Sequence, residues 1–66
     1  MNHYFYRAYV KFRHGSSRVL NSEITSEPGR ITYDIHCSIS KQYAKYCEES
    51  GDSIKYIVIT HVAKVD

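Results

Sequence analysis

Apolar and polar side chains alternate near the start of the chain, from Tyr4 to Arg13, with the period of two that is typical of a β-strand. The segment is rich in aromatic and β-branched residues, which favour strands. The even positions, which we expect to face the core, are Tyr4, Tyr6, Ala8, Val10 and Phe12. The odd positions, on the opposite face, are Phe5, Arg7, Tyr9, Lys11 and Arg13. The pattern therefore predicts a first strand with a buried face and a second face that alternates rings and cations.

A turn and a second, weaker strand follow. The tetrapeptide HGSS contains Gly15, which adopts a positive φ without strain and so favours a tight turn. The alternation resumes from Arg18 to Thr25, with Leu20, Ser22 and Ile24 on one face. The two segments together predict a β-hairpin.

An amphipathic helix is predicted between the Pro28-Gly29 turn signal and Gly51, which supplies the left-handed residue that commonly follows a helix. Thr32 is the predicted N-cap, and Asp34 falls in the first turn, where a carboxylate interacts favourably with the helix dipole. Six positions fall within one stripe at about 100° per residue, and we expect this stripe to face the core. They are Ile31, Ile35, Ile39, Gln42, Tyr43 and Tyr46.

The most apolar strand pattern lies at residues 53–65, SIKYIVITHVAKV. Ile57, Val58 and Ile59 place apolar groups on both faces, as in a strand that is covered on both sides. The element order is then β-β-α-β. We expect an α+β fold in which a three-stranded antiparallel sheet carries one helix on one face, with the last strand beside the first. Residues 1–66 are expected to form a single domain, because a chain this short supports one thin core.

Charge and composition narrow the range of partners. Nine Lys and Arg against seven Asp and Glu give a formal net charge of +2, which is small for a protein that binds nucleic acid through its phosphates. No apolar run approaches the roughly 18 residues that mark a membrane-spanning helix, and the N-terminus lacks the pattern of a signal peptide. We therefore expect a cytoplasmic protein with no membrane partner.

The histidines and cysteines predict neither a metal site nor a catalytic centre. No spacing typical of zinc ligands is present, and the side chains of His36 and Cys37 diverge by about 100° on the predicted helix. Cys37 and Cys47 would lie about 15 Å apart along the helix axis, which is beyond disulfide reach. The chain also lacks a nucleophile elbow. We expect no enzymatic activity, no metal and no cofactor.

Two short motifs carry a resemblance to a known group of proteins. They are Ile31-Thr32 with Asp34-Ile35 at the predicted helix start, and Ile57-Val58-Ile59-Thr60 in the last strand. With the aromatic hairpin, they resemble a type of small β-β-α-β protein encoded by phages and prophages of enteric bacteria. The resemblance implies a mobile-element origin and a bacterial host. For most proteins of this type, the resemblance implies no known activity. Several small phage proteins of similar build inhibit host machinery, including host defence, and by analogy we expect an inhibitor or modulator of a host protein.

The candidate binding surface is the odd-numbered face of the first strand. Its members are Phe5, Arg7, Tyr9, Lys11 and Arg13, and we expect Asn21, Glu23, Ile57 and Ile59 to join them from the neighbouring strands. A mixed, partly apolar face favours a protein partner, either a foreign protein or a second copy that forms a homodimer. The alternative is a nucleic-acid-binding regulator, in which bases stack on the rings and the cations contact the backbone.

Overall fold

The computed structural model describes residues 1–65; Asp66, the last residue of the predicted domain, lies outside the described residues. The elements are strand β1 (Asn2–Phe12), strand β2 (Ser17–Ser26), a 3-10 turn (Pro28–Arg30), helix α1 (Ile31–Ser50) and strand β3 (Ile54–Val65). The three strands form an open antiparallel sheet in the order β2-β1-β3, and α1 packs on one face. These elements confirm the predicted α+β fold, with the last strand beside the first. No helix in residues 1–65 is long and apolar enough to cross a membrane.

The hairpin between β1 and β2 closes through the predicted glycine turn. Gly15 has a φ of 99°, and its N–H donates to the carbonyl oxygen of Phe12 over 3.2 Å. The N–H of Phe12 donates to the carbonyl oxygen of Ser16 over 3.0 Å. These bonds end β1 at Phe12 and place Arg13 in the turn, one residue beyond the strand. The prediction that Arg13 belongs to the strand is therefore wrong.

The core lies between α1 and the even-numbered face of β1. The five even positions that the alternation predicts to face the core are buried there: Tyr4, Tyr6, Ala8, Val10 and Phe12. From α1, Ile35 and Ile39 pack against this face of β1, and both are fully buried. Burial of each large apolar side chain stabilises the fold by roughly 1.5–3 kcal/mol, so this small set supplies most of the apolar stabilisation.

The helix begins two residues earlier than predicted, because the N-cap is Arg30 and not Thr32. The 3-10 turn leads directly into α1 at Ile31, and Arg30 occupies the cap position without a side-chain hydrogen bond. Asp34 does lie in the first turn, where its carboxylate accepts a hydrogen bond from the hydroxyl of buried Ser26. Because Asp34 ties α1 to the end of β2, the helix start is fixed by a contact between elements rather than by a local cap.

The helix end and most of its apolar stripe agree with the sequence pattern. Gly51 has a φ of 73°, and its N–H donates to the carbonyl oxygen of Cys47 over 3.0 Å. Within the stripe, Tyr43 and Tyr46 set their rings edge-on against Phe12, at centroid distances of 5.3 and 5.1 Å. Gln42 is exposed, so its placement on the core stripe is wrong. Cys47, one turn beyond Tyr43, is the residue that extends the packed stripe instead.

The register of β3 places Ile57 and Ile59 on the covered face of the sheet. Ile57 lies opposite Val10 and Ile59 lies opposite Ala8, and both isoleucines pack against the core. The prediction that they join the odd-numbered face of β1 is therefore wrong. Val58, which lies opposite Tyr9, is the residue that points to that face.

Candidate functional site

The face of the sheet opposite α1, called the open face below, has no element packed on it among residues 1–65. It consists of side chains arranged in rungs across β2, β1 and β3, because paired residues in adjacent strands point to the same side. Four predicted members from β1 lie on it: Phe5, Arg7, Tyr9 and Lys11. Asn21 lies opposite Arg7 and Glu23 lies opposite Phe5, as the sequence predicts. The strand pairing thus brings the predicted rings and cations together on one surface.

An apolar rung crosses the whole sheet at Tyr9. Val19 lies opposite Tyr9 on β2, and Val58 lies opposite it on β3. The exposed fraction is 61% for Val19 and 46% for Val58. Tyr56, also 46% exposed, sets its ring 6.3 Å from that of Tyr9, tilted by 33°. The centre of the open face therefore consists of aliphatic and aromatic side chains that are exposed to water.

Two cations flank this rung along β1, and neither is paired with a carboxylate of residues 1–65. The Nε of Arg7 donates to the side-chain oxygen of Asn21 over 2.9 Å, and the Nζ of Lys11 donates to the carbonyl oxygen of Gly15 over 2.7 Å. Carboxylates within residues 1–65 pair with other side chains, such as Glu23 with His3, Asp52 with His14 and Asp34 with Arg30. The hydrogen-bond partners of both cations are therefore neutral oxygens.

Glu23, on β2, is the acidic side chain of the open face within residues 1–65. Its carboxylate lies 3.0 Å from Nε2 of His3, the neighbouring residue on the diagonal. Both side chains are at least half exposed, so this pair contributes little to stability. The charge of the open face is consequently uneven, with Glu23 near one end and Arg7 and Lys11 beside the apolar rung.

Sequence reasoning missed Val19, Tyr56, Val58 and His61 as members of the open face. Val19 was within reach of the pattern, since it precedes Asn21 by two residues on the same strand. The β3 residues were not, because a bulge interrupts the pairing: Arg7 lies opposite His61 whereas Ala8 lies opposite Ile59. A period-two pattern cannot locate such a shift, and the side-chain assignment of β3 depends on it.

A second polar cluster lies at the end of the sheet near the β1–β2 turn. Asp52 is buried, and its carboxylate accepts hydrogen bonds from the backbone N–H of Ser53 over 2.8 Å and of His14 over 3.1 Å. The hydroxyl of Tyr46 donates to the other oxygen over 3.3 Å. Burial raises the pKa of Asp52, but these donors and the His14 imidazole outweigh burial, so that the pKa lies below its ordinary value. This cluster joins the hairpin turn to the end of α1 and is structural.

The described residues show no arrangement typical of a metal site or an enclosed ligand site. Within residues 1–65, no group of three or more His, Cys, Asp and Glu side chains could hold a metal ion, and no pocket is found. Cys37 and Cys47 are free thiols, each half-buried.

Comparison with known proteins finds no matching family model, no matching curated protein and no matching solved structure. The function is accordingly inferred from the residues of the open face.

Proposed function

We propose that this protein is a small non-enzymatic binding module that associates with another protein through the open face of its sheet. The observation that carries the proposal is the exposed apolar rung of Val19, Tyr9 and Val58. Contiguous exposed apolar groups on a small protein mark a surface that associates, and rings with an adjacent Arg are typical of the centre of protein interfaces.

The resemblance to small phage and prophage proteins gives the proposal a biological setting. On that reading, the partner is a protein of a bacterial host, and the chain acts as an inhibitor or modulator of it, for example in host defence. A cytoplasmic location belongs to the same proposal.

The second candidate function is nucleic-acid binding, which the pair of rings beside two cations favours. The ring centroids of Tyr9 and Tyr56 lie 6.3 Å apart, and Lys11 lies opposite Tyr56 in the strand register. Bases stack on such rings, and cations contact the phosphates. This binding should weaken steeply between about 50 mM and 200 mM salt, since phosphate contacts release counterions.

The test is a selection of peptides that tile bacterial proteomes against the immobilised protein. We expect sequences to be enriched on the wild type and lost on the open-face variant Tyr9→Ala/Val58→Ser, while circular dichroism shows an unchanged fold. The control variant Lys45→Ala, on the exposed side of α1, should retain the same enriched sequences. Enrichment that is identical on the open-face variant would overturn the proposal. Salt-sensitive binding of single-stranded oligothymidine, with no enriched peptide, would establish the second candidate in its place.

A further inference from the structure

We infer that the open face accepts an extended acidic segment of another protein, in which two carboxylates lie four residues apart with an apolar side chain midway between them. This inference rests on the proposed function and specifies the chemistry of the partner at the same surface. It is carried by the spacing and the unpaired charge of Arg7 and Lys11 on either side of Tyr9.

The charges of Arg7 and Lys11 set the first requirement on the partner. Arg7 and Lys11 bond neutral oxygens, those of Asn21 and Gly15, and not carboxylates. A partner that covers the apolar rung also removes water from both cations. Burial of a cation without a counter-charge is strongly unfavourable, whereas a charge-assisted hydrogen bond to a carboxylate is among the strongest polar contacts. The partner therefore needs anionic groups at two defined places.

The spacing defines those places. Arg7, Tyr9 and Lys11 are alternate residues of one strand, so the two cations lie about 13 Å apart at roughly 3.3 Å per residue, with the Tyr9 ring between them. An extended segment that runs along β1 has the same repeat. Its side chains at the first, third and fifth positions then meet Arg7, Tyr9 and Lys11. The matching pattern is carboxylate, any residue, apolar residue, any residue, carboxylate, in either chain direction.

The same charges disfavour a second copy of this chain on the open face. The centre of the open face is the rung at Tyr9, which Arg7 and Lys11 flank on β1. If two open faces stack about a two-fold axis through Tyr9, each cation faces its own counterpart when the axis runs along the strands, and Arg7 faces Lys11 when it runs across them. Like charges so placed destabilise the contact, and Glu23 does not relieve them, since it is engaged by His3. The predicted homodimer would need a different surface.

Nucleic acid also offers anions, but it fits the centre of the face less well. Val19 and Val58 flank Tyr9 with branched aliphatic groups, which do not stack on bases. The Tyr56 ring contacts the Tyr9 ring, so the two rings do not offer two separate surfaces for base stacking. With a net charge of +2, the chain also lacks the cationic excess that phosphate binding favours. An acidic and apolar protein segment satisfies both the rung and its two cations.

The probes for the test are three capped heptapeptides of threonine with leucine at the fourth position. They carry glutamate, glutamine or lysine at the second and sixth positions. In NMR titrations of the wild type, we expect the glutamate peptide to shift the amide signals of residues 7–11, and to bind about tenfold or more tighter than the glutamine peptide. The lysine peptide should not bind. Equal binding of the glutamate and glutamine peptides, or no binding of the glutamate peptide, would overturn the inference.

A charge-swapped variant provides the reciprocal test. The double variant Arg7→Glu/Lys11→Glu should bind the glutamate peptide about tenfold or more weaker than the wild type does, and it should bind the lysine peptide. The matched control Lys45→Glu changes a charge of the same type on α1, across the sheet, and should leave both results unchanged. Circular dichroism of each variant confirms the fold before titration.

The outcomes separate this inference from the proposed function. If Tyr9→Ala/Val58→Ser abolishes peptide binding while the charge swap has no effect, the open face binds protein and the acidic partner is wrong. If neither variant changes binding of an enriched peptide, the open face is not the binding surface and both proposals fall. If oligothymidine displaces the glutamate peptide and binds more tightly than it does, the partner is nucleic acid and both proposals are again overturned.

Discussion

The hydroxyl of Tyr6 is the polar atom that fits its surroundings least well among the described residues. The side chain is fully buried on the covered face of β1, and the hydroxyl has no hydrogen-bond partner within residues 1–65. Its neighbour Tyr4, on the same face two residues earlier, accepts a hydrogen bond from the Asn2 amide over 3.3 Å. A buried hydroxyl without a partner loses its hydration and gains nothing in return.

We expect Tyr6→Phe to raise the free energy of unfolding by roughly 1 kcal/mol, because the substitution removes an unsatisfied group and keeps the ring. Tyr4→Phe is the matched control and should leave stability unchanged or slightly lower, since it removes a hydroxyl that has a partner. Urea denaturation of the three proteins measures both effects. A Tyr6→Phe variant that is less stable than the wild type would mean that the hydroxyl is hydrogen-bonded.

Asp52 is the opposite case, a buried carboxylate that several donors satisfy. Two backbone N–H groups, the Tyr46 hydroxyl and the His14 imidazole surround it. Although burial raises its pKa, the donors prevail and the folded-state pKa is lower than the unfolded one. A carboxyl of this kind stabilises the fold above its unfolded pKa, about 3.9, and loses that contribution as the pH falls through the lower folded pKa.

We therefore expect Asp52→Asn to destabilise the protein at pH 7, and the difference from the wild type to shrink as the pH is lowered below about 4. Denaturant titrations at a series of pH values measure this difference. A constant difference between Asp52→Asn and the wild type at all pH values would contradict the assigned pKa direction.

At the scale of elements, the rotation of α1 about its own axis decides which residues stabilise the fold. Ile35 and Ile39 are fully buried, whereas Gln42, which the sequence pattern places on the same stripe, is exposed. At 100° per residue, Gln42 lies about 60° from Ile39, on the side of the helix away from Tyr43. The stripe is therefore centred on the line through Ile35, Ile39 and Tyr43.

We expect Ile39→Ala to lower the free energy of unfolding by roughly 2–5 kcal/mol, because it leaves a cavity between α1 and β1. Gln42→Ala should change it by less than about 0.5 kcal/mol, as an exposed substitution in a helix does. Thermal and urea denaturation report both. Comparable losses in the two variants would show that the helix is rotated toward Gln42.

At the scale of the whole molecule, the fold depends on one central strand. β1 is hydrogen-bonded to β2 on one side and to β3 on the other, and its even face carries most of the core. β2 and β3 are both edges, and each has a row of backbone groups that no strand within residues 1–65 pairs. The chain therefore has a single stable centre flanked by less protected elements.

Hydrogen exchange should reveal this hierarchy. We expect the amides of β1 between Tyr4 and Val10 to exchange slowest, at rates that track global unfolding, since they open only when both pairings and the helix contact are lost. The outward-facing amides of β2 and β3 should exchange faster. Uniform protection of the outer amides of β3 at neutral pH would indicate that a further strand, from a partner or a second copy, covers that edge.

Much of this architecture follows from the sequence alone, because it depends on local periodicity. The alternation over Tyr4–Phe12 fixes which face of β1 is buried, Gly15 and Gly51 mark the turn and the helix end, and the period of α1 selects Ile35 and Ile39. Phe5, Arg7, Tyr9 and Lys11 follow as the rings and cations of the opposite face by the same alternation. Each of these features is set within a few residues of the chain.

The tertiary structure alone decided the features that depend on register between distant segments. Ile57, Val58 and Ile59 are apolar on both sides, so their periodicity cannot say which face α1 covers; the pairing with β1 and the bulge opposite Arg7 decide it. The same register replaces Ile57 and Ile59 by Val58 on the open face and completes the apolar rung. In the sequence, nothing distinguishes Asp52 from an exposed loop residue. Its burial follows only when the hairpin turn and the end of α1 come together, because its hydrogen-bond donor His14 lies 38 residues away along the chain.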